Sequence, residues 1–265
     1  MSVPPPRRLS QALLHPPAAW DATTAPLLLV HGGYHAAACW TEWRALLAAR
    51  GLASAALDLR GHGALAAAGF PPTTGVLDYA ADVVEAAALL QQETGRAPVL
   101  VGHSLGALVV LAAAAAGAPC AGLALLAPSP PGNLPGVQAV PEVPEGALLP
   151  PPPEAIAIER WMGGRPPPSP LKEAWLGSLC AESPRALNDR YALRIRVDPA
   201  ALRGRPVLVL EAGRDDAARH PAGQDAAIAG FLGGTHRLLP EAPHCLMLGE
   251  HSAAAAGVLA DWMPR

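Results

Sequence analysis

"PVLVGHSLGALVV", residues 98–110, sets a Gly102-His103-Ser104 step inside an otherwise apolar run. Val99, Leu100 and Val101 read as a short buried strand, bounded upstream by Gly95 and Pro98. Beyond Ser104 the apolar positions continue into "LGALVVLAAAAAG", which is too long and too alanine-rich for a strand and reads as a packed helix. Ser104 therefore sits at a strand-to-helix corner. Such a tight turn is costly for a serine backbone, and glycines two residues to either side, Gly102 and Gly106, let strand and helix approach without side-chain clash. The hydroxyl would lie at a helix N-terminus, where free N–H groups and the helix dipole favour developing negative charge. Presentation of a nucleophile explains this arrangement better than simple capping of the following helix.

Outward from that corner, strands and helices alternate, the pattern of a mostly parallel sheet with helices on both faces. "PLLLVHGG" (26–33) is a strand running into a glycine turn, and a helix follows through "WTEWRALLAAR" to Gly51. "LASAALDLRGHG" (52–63) is a second strand with its own glycine turn. Residues 77–95 carry helical apolar spacing, with Asp78 and Asp82 in the first turns and Gly95 just past the end. Strands follow at "GLALLAP" (122–128), "PVLVLEAG" (206–213) and "THRLLP" (235–240), and a helix over 250–263 closes the chain. The alternation lapses from Pro128 to about Arg205, where "PPPP" (150–153) and "PPP" (166–168) separate three short helical pieces. The apolar faces carried by Trp161, Met162, Leu171, Trp175, Leu176 and Leu179 must pack on something. The expected organisation is a core of residues 1–128 and 205–265, with 129–204 as a helical, Pro-rich cap inserted between strands.

Composition limits the function classes. With 265 residues, 51% hydrophobic and 15% charged, the chain can bury a large core as one α/β domain. A net charge of −3 argues against a nucleic-acid partner. Cys39, Cys120, Cys180 and Cys245 show no metal-ligand spacing and read as reduced thiols of a cytoplasmic protein, with Cys245 a buried small apolar residue. The N-terminal stretch lacks a signal-peptide apolar run. Leu105 to Pro128 is uncharged over a length that could span a bilayer, but "GAPCAG" (117–122) divides it into two core elements. No metal or cofactor is expected, since Asp58 and His62 in "DLRGHG" read as a structural turn and nucleotide-binding fingerprints are missing from the sequence.

A serine nucleophile needs a base, and neutral imidazole suits that task. Of nine histidines, His244 follows strand "THRLLP" in a loop bearing Pro243, beyond a strand's C-terminal end. His103 would be turned away from the nucleophile's side, and His31 reads as a structural loop residue. His15, His35, His62, His220, His236 and His251 have no comparable placement. The carboxylate that orients the base must come from a strand end, and "EAGRDD" offers Asp215 and Asp216, with Glu211 weaker.

These segments together resemble the α/β-hydrolase family over nearly the whole chain. "LLLVHGG" is similar to its oxyanion-loop strand, "GHSLGA" to its nucleophile elbow, "VLVLEAGRDD" to the acid-bearing strand and "APHCLM" to the histidine loop, in the family's order Ser, Asp, His. The resemblance implies a doubly wound sheet and the catalytic set Ser104, His244 and Asp216, the last chosen by the family's G-x-x-D spacing from Gly213, with Asp215 as the alternative. It further implies an oxyanion hole from the backbone N–H groups of Leu105 and Gly33, with Tyr34 an alternative to Gly33. Tyr34, Trp161, Met162, Trp175 and Tyr191 are candidate pocket residues around a small, uncharged ester-like substrate. The expected reaction is hydrolysis of an ester or thioester through an acyl-enzyme. Lyase, C–C hydrolase or acyltransferase chemistry on the same fold is the alternative, and a ligand-binding protein with little turnover stands further back. Haloalkane dehalogenases place Asp where Ser104 stands. Oligomeric state is not legible.

Overall fold

In a computed structural model of the chain, the described residues are 11–14, as backbone, and 24–264. Strands β1 (Gln11–Leu14), β2 (Leu27–Val30), β3 (Ser54–Leu57), β4 (Val99–His103), β5 (Gly122–Leu126), β6 (Val207–Ala212) and β7 (Thr235–Leu239) form one sheet in the order β1-β3-β2-β4-β5-β6-β7. Neighbours from β3 to β7 are parallel. β1, which the sequence pattern does not reveal, pairs antiparallel with β3 at the edge, with an irregular register.

The helices are α1 (Thr41–Ala48), α2 (Val76–Thr94), α3 (Leu105–Ala115), α4 (Glu154–Met162), α5 (Leu171–Gly177), α6 (Pro184–Tyr191), α7 (Gln224–Leu232) and α8 (Ser252–Trp262). Strand periodicity distributes them over two layers. On β2, Leu28 and Val30 join the cluster formed with α2, α3 and α7, whereas Leu27 and Leu29 join the opposite cluster with α1 and α8. α3 is apolar all round because it is buried all round: every residue from Leu105 to Ala114 is buried. The uncharged stretch considered above thus becomes α3, a left-handed turn at Gly117 and strand β5. Among the described residues no helix is long and apolar enough to cross a membrane.

The Pro-rich region holds α4, α5 and α6 between β5 and β6. It builds no core of its own. Ala186, Ile195 and Val197 enter one sheet-face cluster, while Ala157, Trp161, Met162 and Trp175 enter the other. α7, which lies between β6 and β7, escapes the sequence reading because its glycine and alanine content gives little apolar periodicity.

Candidate active site

The β4–α3 corner is built as its glycines require. Ser104 adopts φ 53° and ψ −119°, a conformation that costs a non-glycine residue about 1–3 kcal/mol. The surroundings fix it: the Ser104 N–H donates to the Leu126 carbonyl at 2.9 Å, and the Ser104 carbonyl accepts from the N–H groups of Ala107 and Ser129, each at 3.0 Å. A Cβ on Gly102 would lie 2.4 Å from the Gly106 carbonyl oxygen, and one on Gly106 would lie 2.3 Å from that of His31. These contacts hold α3 against the ends of β2 and β4.

Ser104 and His244 line one cavity at the C-terminal ends of the strands, together with Asp215, Gly33 and Leu105. The His244 Nδ1–H donates to Asp215 Oδ2 at 2.6 Å, with both side chains 6% exposed. The carboxylate that meets His244 is thus Asp215, one residue before the Asp216 that G-x-x-D spacing selects. Asp216 bonds elsewhere: its Oδ1 accepts from the Ala218 N–H at 3.0 Å and its Oδ2 pairs with Arg219 at 2.8 Å. Burial pushes the Asp215 carboxyl up, but the imidazole of His244 and its hydrogen bond outweigh burial and hold the group below the usual carboxylate range.

Two histidines brace the base. His103 is buried, and its Nε2–H donates to the His244 carbonyl at 3.0 Å. His220, which the sequence does not single out, is buried with its Nδ1 at 3.7 Å from Asp215 Oδ2 and its ring 4.9 Å from that of His244. Burial lowers its pKa to about 3, so it stands neutral beside the carboxylate. Asp215, His220 and His244 each offer one ligating atom, all within 4.8 Å of one another, and are the described residues that could hold a metal ion. His15 lies outside the described residues.

Opposite the elbow, the turn Gly32–His35 is tied to the inserted helices. His35 Nδ1–H donates to the Gly33 carbonyl at 2.9 Å, while its Nε2 accepts from Trp175 Nε1–H at 3.1 Å. The Cys180 N–H donates to the Tyr34 carbonyl at 2.7 Å, and the Tyr34 N–H donates to Glu182 Oε2 at 3.2 Å. That last bond occupies the Tyr34 N–H, which leaves Gly33 as the better-placed donor of this turn. Leu105 is the first residue of α3, so its N–H has no helical carbonyl to serve. Of the aromatic and apolar side chains expected around the substrate, Tyr34, Trp161 and Tyr191 line the cavity. Trp175 is instead spent on His35, and Met162 lines a separate surface cleft with Pro167 and Gly249.

Glu182 is the second residue the sequence does not single out. Buried under the turn, it accepts from Tyr79 Oη–H at 2.6 Å and the Ser183 N–H at 2.7 Å, and it faces His62 Nε2 at 3.3 Å. Burial pushes its carboxyl up, yet His62, Tyr79 and Ser183 together hold it below its ordinary value. Only the fold brings its partners together.

A profile described as the alpha/beta hydrolase family matches residues 27–258. The chain belongs to that family. Many solved structures share its fold. A lipase-esterase related protein from Clostridium acetobutylicum is 16% identical, with a TM-score of 0.66 over 95% of this chain and 99% of its own. A methylesterase from Arabidopsis is 20% identical, with a TM-score of 0.64 over 89% and 98%. Tomato methylketone synthase I, solved with 2-tridecanone, is 18% identical, with a TM-score of 0.67 over 91% and 99%. A search of the curated proteins finds no match.

Proposed function

We propose that this α/β-hydrolase family member is a serine hydrolase that cleaves a carboxylic ester or thioester through Ser104, His244 and Asp215. In this reading residues 1–128 and 205–265 are the catalytic core and 129–204 its cap. One observation carries the reading: a serine held at positive φ on the strand–helix corner lines the same cavity as a histidine whose Nδ1 lies 2.6 Å from a buried aspartate.

The chemistry follows from the geometry. The Asp215 bond fixes the His244 tautomer with its proton on Nδ1, which leaves Nε2 as the base. His244 takes the Ser104 hydroxyl proton as Oγ attacks the substrate carbonyl, and Asp215 stabilises the imidazolium. The N–H groups of Leu105 and Gly33 receive the oxyanion, each donor worth about 3 kcal/mol of transition-state stabilisation. The imidazolium then returns its proton to the departing alcohol or thiol, which leaves an acyl-serine. Water, deprotonated by His244, attacks the acyl-serine and releases the acid. Four cysteines without a disulfide fit a reducing, cytoplasmic setting.

The test is hydrolysis of a p-nitrophenyl ester series of increasing acyl length by wild type and Ser104→Ala, with fluorophosphonate labelling in parallel. Turnover and labelling should both disappear in the variant while its circular dichroism is unchanged. A wild type that neither labels nor turns over any ester would sink the proposal.

A further inference from the structure

The cavity that holds Ser104 and His244 is not the apolar slot suggested by the inserted helices. Three arginines, Arg160, Arg190 and Arg219, line it beside two aspartates, Asp215 and Asp216. Arg219 is neutralised by Asp216 at 2.8 Å. The other two have no carboxylate partner among the described residues. Arg190 is the more telling. It is 7% exposed, it lies 5.3 Å over the Tyr191 ring, and its one hydrogen bond among the described residues runs from Nη2 to the Arg219 carbonyl at 2.7 Å. No other hydrogen bond of its guanidinium runs to a described residue. Arg160 approaches the Tyr191 hydroxyl at 3.5 Å and the Trp161 ring at 5.7 Å, and it borders the same cleft as Asp215 and Asp216 without an ion pair to either.

Two cations without a carboxylate partner among the described residues, one of them buried, leave this part of the cavity short of negative charge. A buried charge normally has a counter-charge, and leaving one unpaired is expensive. The Asp215 carboxylate bonds His244 at 2.6 Å and, although its charge acts on Arg190 from a distance, it forms no ion pair with Arg190 or Arg160 among the described residues. Burial lowers the Arg190 pKa, Tyr191 pulls it back, and repulsion from Arg219 and Arg160 lowers it further. Guanidinium forks match carboxylate oxygens in pairs.

We infer that the substrate carries a carboxylate besides its scissile ester, and that Arg190 and Arg160 bind that carboxylate while Ser104 attacks the ester carbonyl. This assigns a charged substrate class to a site whose cap sequence suggests an uncharged one, and it rests on the ester-hydrolase reading above. Arg190 and Arg160 are specificity residues and take no part in the proton transfers.

The test compares esters of matched length. Monomethyl succinate, glutarate and adipate are set against methyl butanoate, pentanoate and hexanoate, with 4-acetoxybutanoate against butyl acetate to place the charge on the alcohol side; methanol or alcohol release is measured. At least one charged ester should exceed its neutral partner in kcat/KM by about 10–100-fold, the worth of a charge-assisted hydrogen bond. The preference should sit mainly in KM and weaken with added salt. In Arg190→Gln and, separately, in the half-exposed Arg160→Gln, the charged-to-neutral ratio should fall at least several-fold, with Arg190→Lys intermediate. A purely structural role for Arg190 would depress both series equally and leave the ratio where it was. A wild-type ratio of one or less for every pair, or a ratio untouched by both Gln variants, would overturn the inference while leaving the hydrolase reading intact. Should no ester react at all, calorimetry on Ser104→Ala still decides it: glutarate must bind and 1-pentanol must not, and the reverse or an equal response rejects the carboxylate site.

Discussion

Asp215 and Asp216 are neighbours in sequence, yet one meets His244 and the other Arg219. Successive side chains leaving a strand point in different directions, so a one-residue choice of acid decides which carboxylate reaches His244. Asp215→Asn should cut kcat on a p-nitrophenyl ester by about 10^3–10^4-fold, because the amide no longer enforces the imidazole tautomer. Asp216→Asn should lose at least a hundredfold less, and the two variants assayed side by side check this. Both carboxylates were legible as candidates in "EAGRDD". The selection between them was not, because motif spacing carries no information about loop direction. His220 was illegible for the same reason: its approach to Asp215 depends on how the β6–α7 connection folds back.

At the scale of elements, the strand–helix corner depends on bare backbone. Gly106→Ala adds helix propensity worth about 1 kcal/mol, but its Cβ would meet the His31 carbonyl oxygen at 2.3 Å, so the net effect should be destabilising by about 1–3 kcal/mol or more. Gly257→Ala in α8 is the matched control: the nearest atom to its Cβ is the end of the Arg50 side chain at 3.9 Å. That substitution should raise Tm where Gly106→Ala lowers it, as thermal melts by circular dichroism will report. The inserted helices are held to the Gly32–His35 turn by Glu182. Glu182→Ala would strand the Tyr79 hydroxyl and the Ser183 and Tyr34 N–H groups in a buried space, at about 1–3 kcal/mol for each unsatisfied group. Urea denaturation should place the loss at several kcal/mol, and a loss within 0.5 kcal/mol, the range of about ±0.5 kcal/mol usual for surface substitutions, would remove Glu182 from the account of this turn.

The whole molecule carries an unusual number of buried neutral histidines. Burial, the leading cause in each case, lowers the pKa of His35 to about 4 and of His220 to about 3, and holds His31 and His103 well below the ordinary value. In the unfolded chain each binds a proton once the pH falls below about 6.5, while the folded chain refuses it. The unfolded state thus binds more protons between about pH 6.5 and the folded values, so stability falls as the pH drops through that window. Each histidine contributes up to about 1.4 kcal/mol per pH unit. His62 has the opposite sign: its pKa is lowered by burial but raised on balance by Glu182, so its contribution is complete below about 6.5 and is lost as pH rises through its folded pKa. Asp225, whose carboxyl burial raises to about 8, shares the sign of His62 across this window; four against two should still make Tm lower at pH 5 than at pH 7, and calorimetry at the two values tests the sign.

By itself the sequence determined the alternation of strands and helices, the strand–helix corner at Ser104 and the loop that carries His244, because each is written in local periodicity and in glycines that only one backbone geometry uses. Tertiary structure alone decided that Asp215 faces the base, that Glu182 and His62 meet beneath the Gly32–His35 turn, and that three arginines from the inserted helices and the β6–α7 connection share the cavity with Ser104. These pairings join residues up to 148 positions apart, as for Tyr34 and Glu182, and depend on loop directions and on which buried charges find partners. Neither is encoded in the pattern of any single segment.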